Sequence, residues 1–525
     1  MIVANEVDAA RVRPTEVALL LSVFVVAACG LVYELAAGAL ASYLLGDSIL
    51  QFSTVIGTYL FAMGIGSYLS RFFERQLIAH FLRIELLVGV VGGLMPAALF
   101  ALHATATPSF RFALYAMVLL VGVLVGLEIP LVMRILQSQL RGDRTQSSGA
   151  KHGLKNLVSQ VLTFDYLGAL AVSIAFPLLL VPHLGLIRTG VLFGLLNVGV
   201  ACWALWLFRS QLRAHASHTT ACVLSAAALL AAGLGADQIT TWAEDRFYAD
   251  SVLFVETSPY QRVVVTSGKA GVRLFLNGNL QFHSRDEYRY HEALVHPAMS
   301  GHGAPKKVLV LGGGDGMAVR EVLKYPSVEE VTLVELDPHM TKLFSEQPLL
   351  RKLNADALRS PKLRIVNADA FAWLETHAAS FDVIVVDFPD PTNFSIGKLY
   401  TTSFYKLLDE HLSASGYAVI QTTSPLVARR SFWTVATTLE AVGLPVTPYH
   451  AHVPSFGEWG FILASRRPYR VPSSLPQGMK FLSPDGLPAL FNFPPDMARV
   501  PTEVNRLSNQ VLVQTFEAEW GKVNP

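Results

Sequence analysis

Five acids stand at places where an α/β sheet would turn them toward one ligand: Asp315, Glu335, Asp369, Asp387 and Asp390. Asp315 follows the glycine turn Gly312-Gly313-Gly314. Glu335 closes the apolar run Val331–Val334, and Asp387 and Asp390 bracket Phe388-Pro389 after a second run. A crevice lined by carboxylates concentrates positive charge. No histidine or cysteine cluster at metal-ligand spacing accompanies them, so the set suits a cationic substrate. Capping a helix or making a turn accounts for any one of these residues. It does not account for all of them together.

The elements that must position the acids are legible around them. Val308–Leu311 is a continuous apolar run, the mark of a strand buried on both faces. The glycines after it let the backbone turn sharply and approach a ligand, and an amphipathic helix follows. Strand, glycine turn and helix, with Glu335 about twenty residues on, match a nucleoside-binding α/β fold, in which Gly312 and Gly314 approach the ligand and the acid takes the ribose hydroxyls. The alternative is an ordinary strand–helix turn. Further strands are expected at 363–366, 381–387 and 416–421, with a late pair at 446–449 and 460–464. Ligands of open α/β sheets lie beyond the carboxyl ends of the strands, which is where the acids fall. Upstream, alternating runs at 262–266 and 272–276, with Asn277-Gly278 before 279–282, read as antiparallel hairpins.

The chain has 525 residues and a formal net charge of +1; 52% are hydrophobic and only 15% charged, with a mean hydropathy of +0.41. A soluble enzyme carries about 25% charged residues, and the apolar excess is concentrated before residue 236. Neutral overall charge argues against a nucleic-acid partner. Seven segments are long enough to cross a bilayer: 17–40, 49–69, 82–102, 112–135, 157–181, 185–208 and 219–235. The expected architecture is therefore a multi-pass α-helical membrane domain of about seven spans (1–236) and a polar linker (237–250). A small antiparallel β-domain (251–300), an α/β Rossmann-like domain of methyltransferase type (301–470) and a packed C-terminal tail (471–525) follow.

Within the spans, Glu34, Glu128 and Asp165 are costly at membrane depth. They either pair with arginines such as Arg71, Arg134 and Arg188 or line a path for a cationic substrate. Loop charges, including Arg141, Arg144, Arg209 and Arg213, place the N-terminus inside. With seven spans the second half then lies outside the cytoplasm, whereas supply of a cytoplasmic metabolite favours the other side. The three cysteines all fall in apolar segments, so no disulfide framework is expected.

A set of motifs spread over about 200 residues resembles the spermidine synthase family of aminopropyltransferases, in the branch fused to membrane spans. They are Tyr260-Gln261, Gly278–Gln281, Asp286-Glu287, Tyr290-His291-Glu292, His296-Pro297, Gly312–Gly316, Glu335-Leu336-Asp337, Asp369-Ala370, Asp387 with Asp390-Pro391, Leu399-Tyr400 and Phe404-Tyr405. The resemblance implies transfer of the aminopropyl group of decarboxylated S-adenosylmethionine to putrescine or a related amine, releasing methylthioadenosine, with no cofactor and no metal. It implies that Gln261, Glu335, Asp369 and Ala370 hold the nucleoside. It gives Asp387 the role of general base, and Asp390 with Tyr290 that of binding the polyamine. His291, Asp315 and Gln281 complete the amine and aminopropyl sites. A homodimer or homotetramer is expected on the same ground, alongside a lipid bilayer. Asn277, the stretch Thr392–Lys398 and the short segment with Glu458 depart from the family pattern, so putrescine is only the default acceptor. The other readings are an S-adenosylmethionine-dependent methyltransferase and a polyamine-sensing or transport protein of the membrane.

Overall fold

The computed structural model describes residues 14–45, 48–105, 107–141, 150–212, 215–248, 250–258 and 260–522. Arg144 and Arg213, used above as loop charges, lie outside them. The chain divides into two compact units, Met1–Ala249 and Asp250–Pro525.

The first unit is helical. Its long helices are Pro14–Leu45, Ser48–Leu69, Leu77–Thr105, Thr107–Arg141, Ala150–Ala175, Val181–Leu207 and His215–Leu234. Among the described residues, six continuous helical segments are long and apolar enough to cross a membrane, against the seven segments expected. The difference lies in Val158–Leu207, 50 residues in which two helices follow one another without a loop between them. An unbroken helix of that length would be about 75 Å long, more than twice a hydrocarbon core. The stretch does not run straight, because Gly185 adopts φ 73° and ψ 172°, a conformation outside the helical region. Glycines at helix contacts have no room for a side chain: a Cβ on Gly126 would lie 2.2 Å from the Met63 carbonyl oxygen.

The stretch read as a polar linker is mostly helical. Ala236–Tyr248 forms a helix, and Asp237 in its first turn accepts from Arg188 at 2.7 Å. Among the described residues, no ion pair joins Glu34, Glu128 or Asp165 to the arginines expected to meet them. Arg188 is taken by Asp237, Arg134 donates to the Ser70 carbonyl, and Arg71 lies over the rings of Tyr68 and Phe72.

The second unit opens with a four-stranded antiparallel meander: β1 (Ser251–Thr257), β2 (Arg262–Gly268), β3 (Gly271–Leu276) and β4 (Asn279–His283). Asn277 and Gly278 both have positive φ, 50° and 82°, as a two-residue hairpin turn requires. The Asn277 side-chain oxygen accepts from the Arg262 amide, a bond the more usual Asp would also make. Helix Glu287–His302 leads into a seven-stranded sheet in the order β10-β11-β9-β8-β5-β6-β7. Its strands are β5 (Lys307–Gly312), β6 (Glu330–Glu335), β7 (Leu363–Asn367), β8 (Phe381–Asp387), β9 (Leu412–Gln421), β10 (Val446–Val453) and β11 (Gly457–Ser465). β5 to β9 run parallel, and β11 and β10 close the edge antiparallel.

Both faces of this sheet are covered, which is why its strands read as unbroken apolar runs. Val308, Val310, Val331, Leu333, Val383 and Val385 pack into one core, together with Val263, Leu274 and Phe282 of the meander. Leu309, Leu311, Val334, Ile384 and Val386 face the other. The strand order reverses between β5 and β8, so the crevice of the fold opens at their carboxyl ends. The tail packs on this unit. Phe491 and Phe493 meet Tyr449 and Trp433, and the Trp520 indole donates to Thr423 at 2.9 Å.

Candidate active site

Register places the first acid. Gly312 on β5 pairs with Asp387 on β8, so Asp387 sits at the mouth of the crevice. Gly312 has φ 79°, and a Cβ there would stand 2.3 Å from the Asp387 carbonyl oxygen. Gly314 brings in the second acid: its amide donates to Glu335 Oε2 at 3.1 Å, and a Cβ on it would strike the Glu335 side chain at 2.7 Å. The glycines therefore serve two carboxylates, one on each neighbouring strand.

Asp387 is held and only partly covered. The Tyr290 hydroxyl donates to its Oδ1 at 2.6 Å. Tyr290 is fixed in turn by edge contacts with His291 and Phe456 and a tilted contact with Phe461. Burial pushes the Asp387 carboxyl up to about 6; His291 opposes the push and Asp315 adds to it. Asp390, three residues on, is pushed by burial up to about 7 against the pull of Gln421. Its Oδ1 is buried without a hydrogen-bond partner. Asp315 accepts from the Met317 amide at 2.9 Å and is raised chiefly by burial, with His291 pulling the other way. Among the described residues no lysine or arginine forms an ion pair with Asp315, Asp387 or Asp390.

Two residues behind the site supply its compensating charge. His291 is buried, and its Nδ1 meets Glu287 Oε2 at 2.8 Å. Arg320 donates to both Glu287 oxygens, at 3.0 and 2.8 Å. Burial alone would raise Glu287; His291 and Arg320 overcome it and hold the carboxyl down to about 2. Burial lowers His291, but Glu287, Asp315 and Asp387 more than restore it, and the net direction is up. The chain Arg320–Glu287–His291 thus gives the imidazole beside Asp315 and Asp387 a stronger hold on its proton. Glu287→Gln is expected to weaken that hold. The acid limb of the kcat/KM profile then moves to higher pH, because Asp387 loses the group that favours its ionised form. Breaking this buried pair also destabilises the fold by about 3–5 kcal/mol. A pH–rate profile together with a thermal melt reads both effects, and an unmoved limb would refute the role of His291.

The Glu335 side of the crevice is more heavily bonded. Both Glu335 oxygens are engaged, Oε2 by Gly314 and Oε1 by the Asp337 amide at 3.0 Å, yet burial still pushes the group up to about 7. The Gln261 side chain and Ser258 hydroxyl both donate to Asp337 Oδ2, at 3.1 and 2.7 Å, which ties the meander to the end of β6. Asp369 follows β7. It caps helix Ala370–Thr376 by accepting from the Phe371 amide at 2.8 Å, and it takes Lys398 Nζ at 2.6 Å. Capping is therefore a real part of Asp369's work, and Lys398 holds its carboxyl low although burial pushes the other way. Ala370 is buried in the first turn of that helix.

Gln281 is not joined to the cluster by a hydrogen bond, since its side chain donates to Asn279 on its own strand. Glu458 is bonded to His450 and His452, at 2.9 and 3.1 Å. Sequence reasoning missed Glu287 as a partner of Arg320, Lys398 on Asp369, and Gln421. Gln421 donates to the Phe388 carbonyl and accepts from Trp459 at 3.1 Å, steadying the turn between Asp387 and Asp390. Nothing in the local spacing marks any of these, because each joins separate elements. A cavity of about 410 Å³ lined by Tyr288, Glu292, Arg320, Lys324 and Lys480 lies outside the acid crevice. Lys324 there meets Glu321, Glu292 accepts the amides of residues 480–482, and the Lys480 ammonium lies over the Tyr288 ring.

The chain was compared with known families, relatives and solved structures. Residues 287–473 match the spermine/spermidine synthase domain. A polyamine aminopropyltransferase of Ralstonia nicotianae is 55% identical over 509 residues, covering 96% of this chain and 98% of its own. A polyamine aminopropyltransferase of Leptospira interrogans is 49% identical over 508 residues, covering 97% and 99%. A crystal structure of spermidine synthase in complex with the transition-state analogue AdoDATO aligns with a TM-score of 0.44 at 28% identity, over 46% of this chain and 85% of that one. The two relatives match through the helical unit as well as the second, and the chain belongs to the polyamine aminopropyltransferase family.

Proposed function

We propose that this enzyme transfers the aminopropyl group of decarboxylated S-adenosylmethionine to putrescine or a related primary amine. The observation that carries the reading is the group of three carboxylates, Asp315, Asp387 and Asp390, at one crevice, with no lysine or arginine among the described residues paired to them. Such a crevice grips a diammonium ion. The acceptor amine has a pKa of about 10 by analogy with Lys and must lose a proton before it attacks. Asp387 takes that proton. The nitrogen then bonds to the aminopropyl carbon, the carbon–sulfur bond breaks, and its electron pair leaves on sulfur as neutral methylthioadenosine.

Asp390 offers its unpartnered oxygen to the distal ammonium, and Asp315 to the ammonium of the donor. Glu335 receives the ribose hydroxyls. Asp315 also selects against intact S-adenosylmethionine, whose carboxylate it repels. With both donors offered alongside putrescine, methylthioadenosine is expected to accumulate and S-adenosylhomocysteine is not. The reverse result would make the protein a methyltransferase.

We further propose that the helical unit is embedded in a lipid bilayer, on the strength of its apolar segments. Alkaline carbonate extraction is expected to leave the full chain in the membrane pellet. Release into the supernatant would contradict this.

A further inference from the structure

The helical unit buries polar groups that the transfer reaction does not use. Glu85, on helix Leu77–Thr105, and Glu128, on helix Thr107–Arg141, are both 0% exposed. A chain of bonds leads to the first: the Tyr33 hydroxyl donates to Asn197 Oδ1 at 3.3 Å, and Asn197 Nδ2 donates to Glu85 Oε2 at 3.1 Å. Glu128 faces the same cluster, within electrostatic reach of Glu85, Tyr33 and Tyr59. Neither of its oxygens has a hydrogen-bond partner, and Glu85 Oε1 has none. Five helices thus meet at a point where three carboxyl oxygens are left over.

An apolar bundle gains nothing from such groups. An unsatisfied buried acceptor costs about 1–3 kcal/mol, and more if charged. Arg71, Arg134 and Arg188 are engaged elsewhere. Three orphan oxygens in one cluster call for donors, from protons or from a bound group. A shared proton supplies one donor and leaves an oxygen unmatched. A primary ammonium supplies three N–H donors and a positive charge. Pro130 adds to the polarity, since it cannot donate to the Gly126 carbonyl one turn before it. Ionisable groups at such depth mark ion or substrate sites.

We propose that Glu85 and Glu128 form a binding site for an aliphatic primary ammonium within the helical unit. The identity of its occupant, an amine of the class handled by the second unit, rests on the function proposed above. The occupant is either the acceptor diamine or the longer polyamine product, which share this chemistry.

The test uses full-length protein in detergent carrying Asp387→Asn and Asp390→Asn, which removes the grip of the crevice. Equilibrium dialysis with labelled putrescine and labelled spermidine is expected to show residual binding of one or both, which tells substrate from product. Adding Glu128→Gln is expected to weaken that binding about tenfold or more, the loss of a charge-assisted contact. Glu85→Gln should do the same, and unchanged melting curves would show that both variants are folded. Absence of residual binding, binding indifferent to both substitutions, or displacement by equimolar sodium or potassium would each overturn the proposal. Methylthioadenosine formation by the unmodified enzyme is a separate readout, so the site can fail while the transferase reading stands.

Discussion

Asp387→Asn is expected to lower kcat for methylthioadenosine release by about 10²–10⁴-fold, the usual worth of a positioned general base. The amide keeps the shape of the carboxylate and can still meet the Tyr290 hydroxyl, so thermal stability and nucleoside affinity should be nearly unchanged. What it cannot do is take the proton of the attacking ammonium. The pH dependence follows from the same group. In the free enzyme burial pushes Asp387 up to about 6, so its basic form is lost as pH falls through that value. The wild-type kcat/KM should therefore decline below about pH 6, and the Asn variant should lack this limb. Steady-state kinetics across pH 5 to 9 decide the matter. A variant with a wild-type kcat would remove Asp387 from the chemistry.

Glu335→Gln should raise the KM for decarboxylated S-adenosylmethionine by about 10²-fold, with a smaller effect on kcat. Hydrogen bonds to a charged acceptor contribute about 1.5–3 kcal/mol each, and the ribose offers two hydroxyl donors. The carboxylate is already held by the amides of Gly314 and Asp337, so it is oriented before the ligand arrives. Burial nevertheless leaves it near 7, and near neutral pH a large share of the free enzyme carries it protonated. Ribose hydroxyls donate to the ionised form, so nucleoside binding should release a proton and tighten as pH rises through about 7. Calorimetry with methylthioadenosine between pH 5.5 and 8.5 is expected to show this trend in the wild type and a flat response in the Gln variant. A pH-independent wild-type affinity would contradict the assignment.

Local pattern was enough for the framework of the second unit. Val308–Leu311 and Val383–Val386 read as strands because a two-sided sheet imposes unbroken apolar runs. The Asn277-Gly278 turn was legible because few residues accept two positive φ angles in succession. The spacing from Gly312-Gly313-Gly314 to Glu335 foretold their meeting, since a strand–turn–helix–strand unit has a narrow range of lengths. In the first unit, hydropathy marked the apolar segments. It could not show that Gly185 bends one continuous stretch, because a glycine's backbone angles are set by its surroundings.

The partners of individual charges were decided only in three dimensions. Arg320 and Glu287 are 33 residues apart, Lys398 and Asp369 are 29, and neither separation is a helical or strand period. Asp369 accepts a cap and a lysine, while Asp390, of the same residue type, keeps a buried oxygen free. The sequence alone determined which residue types stand at the ends of which strands, because short-range periodicity is a property of the local chain. Which carboxylate is paired, which is left for a ligand, and how far each is pushed from its ordinary protonation depend on desolvation and on distant neighbours. Those quantities exist only once the sheet order has brought β5 beside β8 and the helices have closed around Glu85 and Glu128.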